Sequence, residues 1–292
     1  MMQATSGFPA AGSENIVKIS VIVPTYNRPA ALRLCLRSLA EQSLPASEVL
    51  IADDGSGQET RDAVAEMKET LKGAFPIVHV WQEDDGFRKP KILNETVRNA
   101  TGEYLVFIDG DCMAHRHFLR AHAERSDPQA ILGGKRVEIG EELTRELLEK
   151  GEVLNRFTFR LLRDSVAGRS RKVEESFRIR NRLLRDLMHR DRIGNDAIWG
   201  CNFSVHKKLF YDINGCDEDF LDGSFEDGDL GIRVLNRGGQ IRSVRGLAIV
   251  FHLWHASTWS WSGDKFRHNS AIARRRIENR ETRCENGIVK PG

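Results

Sequence analysis

Strand-sized apolar runs alternate with helix-period stripes along the first half of the chain. The β-branched run Val17–Val23 stops at Pro24, and Pro29 then opens an amphipathic helix with Leu32, Leu36 and Leu39 on one stripe. Val49–Ala52 predicts a second strand running into Asp53-Asp54-Gly55, Glu59–Leu71 a helix, Ile77–Trp81 a third strand and Pro90–Ala100 another helix. Tyr104–Ile108 predicts a fourth strand, ending in Asp109-Gly110-Asp111. Strand and helix repeating at this spacing imply right-handed crossovers, hence an α/β fold whose mostly parallel sheet is covered by helices on both faces. Such sheets bind ligands beyond the carboxyl ends of their strands. Thr25-Tyr26-Asn27-Arg28, Asp53-Asp54 and Asp109-Gly110-Asp111 are therefore expected to converge on one cleft.

The pattern changes at Gly140–Asn195, which is helical in propensity, Arg-rich and poor in β-branched residues. Strand character returns at Ala197–Val205. A helix is predicted over Phe225–Asn236 with Gly238-Gly239 at its end, then a strand over Ile241–Phe251 and a basic helix from Lys265 to about Arg283. These shifts divide the chain into a disordered segment (1–15), a half of alternating strands and helices (16–136), a helical insertion (137–195), a second mixed half (196–262) and a basic C-terminal helix and tail (263–292).

Composition narrows the function classes. The 292 residues are 40% hydrophobic and 29% charged, which is a globular composition, and the net charge of +2 argues against a protein that coats nucleic acid. The balance is uneven, because twelve Lys and Arg against five Asp and Glu between Asn155 and Arg192 leave a local excess of +7. That excess reads either as solvated helix faces or as a surface for an anionic acceptor or an anionic membrane. Met1–Asn15 has neither a basic start nor an apolar stretch, so no secretory signal is expected, and the longest apolar runs, such as Leu247–Phe251, are far too short to span a bilayer. Five scattered cysteines without a C-x-x-C pair fit reduced thiols in a cytoplasmic protein.

Four polar constellations carry candidate chemistry. Asp109-Gly110-Asp111 places two carboxylates at the end of a buried strand, a costly arrangement unless a cation neutralises them; oxygen ligands of this kind suit Mg2+ or Mn2+ with positions left for a diphosphate. A turn with capping aspartates is the plain alternative. Asp53-Asp54 can accept hydrogen bonds from a base or a ribose. Glu226-Asp227 opens a helix, where acids cap favourably, and an acid beside a metal–diphosphate site can also act as general base. His252-Leu253-Trp254-His255 sets two imidazoles three apart, able to reach one metal. Gly55-Ser56-Gly57 lacks the third glycine of a dinucleotide fingerprint, and Gly133-Gly134-Lys135-Arg136 is not a P-loop.

Taken with Val21–Arg28, the Asn94–Tyr104 stretch and Gly200-Cys201-Asn202, these clusters resemble the inverting family-2 glycosyltransferases of GT-A fold, including those with a galactosyltransferase-like C-terminal half. The resemblance covers roughly 17–260 and implies a nucleotide-sugar-binding half at 16–136 and an acceptor and catalytic half at 196–262. It implies that Pro24, Thr25 and Tyr26 line the nucleotide base with Arg28 nearby, that Asp54 with Asp53 takes the uracil or ribose, and that Lys91 and Asn94 approach ribose and diphosphate. It also implies Asp109 with Gly110 on the ribose side and Asp111 as metal ligand, joined by His255 ahead of His252. Asp227 is the implied catalytic base, with Glu226 its neighbour. The implied cofactor is Mn2+ or Mg2+, the donor a nucleotide sugar, most simply a UDP-sugar, and the acceptor a hydroxyl of a glycan or glycolipid, as in bacterial surface polysaccharide or lipopolysaccharide synthesis. One departure stands out: Asp222-Gly223-Ser224-Phe225 occupies the place where such relatives often carry G-W-G. A sugar nucleotidyltransferase and a non-catalytic nucleotide-sugar-binding protein are the competing readings; a peripheral membrane contact and a dimer stay open.

Overall fold

The computed structural model describes residues 17–188, 190, 198–256 and 263–290; the expected disordered segment 1–15 and Ala197 lie outside them. Ten strands, ten α-helices and one short 3-10 helix (Val173–Ser176) are described. The first half runs β1 (Ile19–Thr25), α1 (Pro29–Ala40), β2 (Glu48–Asp53), α2 (Gln58–Thr70), β3 (Ile77–Trp81), α3 (Lys89–Asn99), β4 (Tyr104–Phe107), β5 (Cys112–Ala114), α4 (Phe118–Glu124), β6 (Ala130–Gly133) and β7 (Arg136–Glu138). The second runs α5 (Glu141–Lys150), α6 (Phe159–Val166), α7 (Arg182–Leu187), β8 (Phe203–His206), α8 (Lys207–Asp212), α9 (Glu226–Asn236), β9 (Gln240–Ser243), β10 (Val250–His252) and α10 (Asp264–Glu278).

Seven strands form the central sheet in the order β3-β2-β1-β4-β8-β6-β9, parallel throughout except where β8 runs against both its neighbours. The pleat of β1 explains its two cores. Val21 and Val23 pack with Leu32, Leu36 and Met67 of α1 and α2, while Ile22 joins Ile92, Val97, Leu230 and Val234 of α3 and α9. A smaller sheet, β5-β10-β7, packs Met113, Val137 and Phe251 against Leu143, Leu147 and Leu161 of α5 and α6.

Two expectations need correction. β1 runs through Pro24 to Thr25 rather than stopping before it. Its pairing with β4 covers only Ile19–Ile22, so the missing N–H of Pro24 breaks no ladder on that side, and the Pro24 carbonyl accepts from the Gly110 N–H at 2.9 Å. The single strand expected over Ile241–Phe251 is two, β9 and β10, in different sheets. The chain turns between them at Arg245-Gly246, with Gly246 at φ 71°.

The basic insertion is bound to the body rather than set apart. Arg37 of α1 donates to the Gly151 carbonyl at 3.2 Å, the Ile179 N–H donates to the Gly246 carbonyl at 2.7 Å, and Arg245 pairs with Glu175 at 2.5 Å. At the other end, α9 is fixed to α10 by a buried ionic knot. Asp229 accepts from Arg233 at 2.7 Å and from Arg276 at 3.1 Å, and Arg276 also pairs with Asp217 and Glu281. Removing one member of such a knot strands the other charges in the interior. Asp229→Ala is expected to lower stability by about 3–5 kcal/mol, read as a shift of the urea midpoint with little change in slope.

Candidate active site

The three polar strand ends meet. The N–H of Asp54 donates to the Thr25 carbonyl at 3.1 Å and that of Gly110 to Pro24, so the ends of β1, β2 and β4 form one floor. A Cβ on Gly110 would stand 2.9 Å from the Pro24 oxygen and 3.3 Å from Thr25, so only glycine lets these loops approach this closely. Thr25 Oγ1 is buried there with no hydrogen-bond partner among the described residues. Tyr26 is half exposed and donates to Asp84 at 2.9 Å.

The neighbouring aspartates are placed differently. Asp53 is fully buried and spends its carboxylate internally, on the Ser56 N–H at 2.8 Å and on His79 at 2.8 Å. Asp54 accepts from Gln82 at 2.6 Å and the Arg88 N–H at 2.9 Å, and burial pushes its carboxyl up. The loop between β3 and α3 is thus folded over Asp54.

That loop delivers a residue which sequence reasoning missed. Lys89, the first residue of α3, sends its ammonium to Asp109 at 3.4 Å and Glu226 at 3.7 Å. Burial favours its neutral form, but Asp109, Glu226 and Asp227 around it hold it protonated. The signal was present: α1 and α3 each begin with a basic residue at the cap and have no acid in the first turn, although a helix start disfavours cations. Lys91, two residues on, is exposed. Asn94 is fully buried and committed to the Cys216 backbone and Glu218, so the structure does not bring it to the cluster.

Glu226 and Asp227 begin α9 directly after Phe225, whose φ of 69° is a strained conformation for a bulky side chain. The Asp227 carboxylate accepts from the N–H of Gly200 at 2.5 Å and of Gly228 at 2.8 Å. A Cβ on Gly200 would crowd both Lys89 and Asp227. Glu226 is buried with Oε2 unpartnered among the described residues; burial, then the Asp227 charge, push its carboxyl to about 8 despite Lys89. Burial also raises Asp227, against the pull of Lys89 and the two N–H groups.

Two residues beyond Asp109, Asp111 faces both histidines. Its carboxylate oxygens lie 3.5 Å from His252 Nε2 and 3.3 Å from His255 Nε2, and ligand atoms of all three fall within 4.8 Å of one another. Burial opposes ionisation of Asp111, yet the hydrogen bond from His255 and the charges of both histidines and Arg28 hold its carboxyl well below the usual range. Burial keeps His252 below its ordinary value, and the Asp111 hydrogen bond raises His255. The His255 Nδ1–H donates to the Ala256 carbonyl at 3.0 Å, which orients Nε2 toward the carboxylate. One carboxylate and two imidazoles directed at a common point form a donor set suited to Mn2+ or a similar divalent ion.

A model of glycosyl transferase family 2 matches residues 20–210. The chain belongs to this family. Chondroitin synthase of Escherichia coli is 26% identical over 243 residues, 80% of this chain and 34% of the relative. YfnE of Bacillus subtilis (strain 168), an uncharacterized glycosyltransferase, is 30% identical over 280 residues, 87% of this chain and 69% of the relative. The chain thus spans only part of the curated relatives it matches. GalNAc-T7, solved with UDP, GalNAc and Mn2+, superposes with a TM-score of 0.60 over 90% of this chain and 48% of that one; at 13% identity this likeness concerns the fold, GT-A.

For this family-2 glycosyltransferase, Lys89 has a measurable signature. Deleting its charge leaves Asp227 without the cation that favours its ionised form. In Lys89→Met, the acid limb of the pH–kcat profile for sugar transfer is expected to move to higher pH. An unmoved limb would separate Lys89 from Asp227 electrostatically.

Proposed function

We propose that the protein is a metal-dependent, inverting glycosyltransferase that moves a sugar from a nucleotide-sugar donor, most simply a UDP-sugar, to a hydroxyl of a glycan or glycolipid. One observation carries this reading: Asp109, two residues before Asp111 of the Asp111–His252–His255 triad, touches Lys89, and Lys89 touches Glu226 beside Asp227. The triad suits a metal that holds a diphosphate, and the pair suits a base for the incoming hydroxyl. GalNAc-T7, with UDP and Mn2+ bound, supports the choice of nucleotide and metal.

In this reading Pro24, Thr25, Tyr26 and Asp54 receive the base, Asp53 holds Asp54's loop in place, and Asp109 and Gly110 face the ribose. Arg28, whose charge reaches Asp111 and His255, lies on the diphosphate side. Asp111 and His255, with His252, would hold Mn2+ or Mg2+, whose chemistry is Lewis-acid neutralisation of the charge that grows on the departing diphosphate. Burial and the Asp227 charge push Glu226 to about 8, while Lys89 and two backbone N–H groups favour the ionised form of Asp227, so Asp227 is the member of the pair assigned as base. Asp227 takes the acceptor hydroxyl proton as that oxygen bonds to the anomeric carbon from the face opposite the leaving diphosphate, and the configuration inverts.

Asp227→Asn is expected to reduce transfer by about 10²–10⁴-fold while UDP affinity stays near wild type. Asp111→Ala should abolish Mn2+-dependent UDP binding, measured calorimetrically. Nucleoside diphosphate release that depends on acceptor separates this activity from a nucleotidyltransferase and from a binding protein without turnover; full turnover by Asp227→Asn would remove the base assignment.

We further place the enzyme in the cytoplasm at an anionic membrane face. Phe159, Val166, Leu183 and Leu187 are 76–86% exposed on α6 and α7, interleaved with exposed Arg163 and Arg182. Apolar side chains set among arginines fit anionic headgroups, whereas a second copy of the same face would oppose arginine with arginine. No described helix is long and apolar enough to cross a membrane, and all five thiols are free. Cosedimentation with phosphatidylglycerol vesicles at low salt is expected, lost with phosphatidylcholine alone and in Phe159→Glu/Leu187→Glu; equal recovery with both lipids would refute it.

A further inference from the structure

At the end of β5 away from the metal triad, arginines and histidines from separate segments are gathered together. Asp111 precedes β5 and His115 follows it. The turn from His115 to His117 and the start of α4 are clamped by the residues just after α1. The Gln42 side chain donates to the His115 carbonyl and accepts from the Leu119 N–H, both at 3.0 Å, and the Ser43 N–H donates to the Arg116 carbonyl at 2.7 Å. Arg120 donates to the Ser43 carbonyl at 2.9 Å, Ser43 Oγ lies 2.7 Å from His117 Nδ1, and the His115 and His117 rings are 5.4 Å apart.

The insertion supplies the other side. Buried Ile179 donates its N–H to the Gly246 carbonyl at 2.7 Å, and His115 donates to Ile249, three residues further along the same stretch, at 2.9 Å. The backbone is extended at Phe177 and at Asn181, so with Ile179 turned inward its neighbours Arg178 and Arg180 are directed the other way. Both act on His117, as do Arg116 and Arg120: burial first, and then these four charges, hold its imidazole below the ordinary value. Burial and then Arg180 and Arg120 push the Arg178 guanidinium down too, against the pull of Glu124, which lies 3.9 Å from Arg120. Arg178 Nε is buried and makes no hydrogen bond to any described residue. The fold thus holds like charges together at a cost, in a frame fixed by Gln42 and Ser43.

We propose that Arg116, Arg120, Arg178 and Arg180, with His117, form a binding site for a phosphate group, taken either as the free ion or as the headgroup of a lipid. Guanidinium groups arriving from two segments need more acceptors than the two oxygens of a carboxylate, and a phosphate group offers further oxygens and up to two charges to forked donors. The site is separate from the donor cleft and does not depend on the glycosyl-transfer reading.

The test uses the full chain with UDP and Mg2+ present throughout. One arm titrates inorganic phosphate and acetate calorimetrically; the other measures cosedimentation with phosphatidylcholine vesicles, with and without phosphatidic acid. Phosphate binding at least tenfold tighter than acetate identifies the free ion, and cosedimentation at least tenfold above phosphatidylcholine alone identifies the headgroup. In whichever arm binds, Arg116→Gln/Arg180→Gln, at two exposed positions, is expected to weaken binding at least tenfold. Arg116→Lys/Arg180→Lys should keep it within threefold, and Lys68→Gln/Lys72→Gln, which removes the same charge elsewhere, should leave it unchanged. Binding in neither arm, acetate as tight as phosphate with no phosphatidic acid effect, a Gln double variant that binds like wild type, an equal loss in Lys68→Gln/Lys72→Gln, or displacement of UDP by phosphate would each overturn the proposal. Failure of UDP to bind would instead refute the donor-site reading and leave both arms readable.

Discussion

The site depends on one cation placed among carboxylates. Asp109 follows a strand of the N-terminal half, Glu226 and Asp227 begin a helix in the C-terminal half, and burial pushes both helix acids toward protonation. Lys89 lies between them, in contact with Asp109 on one side and Glu226 on the other. It therefore joins the two halves as well as adjusting their charge. The two acids are held differently: burial and the Asp227 charge push Glu226 to about 8, whereas Lys89 and two backbone N–H groups favour the ionised form of Asp227.

Such a front-side contact needs a support behind it. Asp229, one position past Gly228, is fixed by Arg233 and Arg276 in a fully enclosed knot that reaches into α10. The first turn of α9 is thus held from the front by Lys89 and from behind by two arginines. Between these anchors the chain can sustain the left-handed Phe225, a conformation that a helix free to shift would relax. Stability and site geometry come from the same turn of helix.

Much of this was legible in the sequence because parallel strands buried on both faces read as uninterrupted apolar runs, and their ends are marked by Pro, Gly and paired acids. Ile77–Trp81 was read with its observed ends, and the polar ends of β1, β2 and β4 meet as their order implied. Tertiary facts account for the differences. Pro24 stays within β1 because β4 has already ended beside it, and the run Ile241–Phe251 is divided by a glycine turn that its apolar character conceals. Near the start of α3, spacing alone could not separate Lys89, which turns inward, from Lys91, which is exposed. Asn94 and Asp53 offer the right chemistry, but the fold engages them in its own hydrogen bonds.

The histidine pair shows how far spacing reaches. In an extended strand, residues three apart point to opposite faces, so His252 and His255 could not share a ligand if β10 simply continued. The strand ends at His252. The next two N–H groups are claimed from different directions, Leu253 by the Asp111 carbonyl at 2.9 Å and Trp254 by the Thr144 hydroxyl at 2.9 Å, and this bend returns His255 to the carboxylate. Thr144 belongs to α5, inside the segment whose sequence reads as a basic helical insertion. That segment also supplies Glu138, opposite His252, and Lys172, beside Trp199. The helical insertion thus helps to shape the triad and the surface beside Trp199.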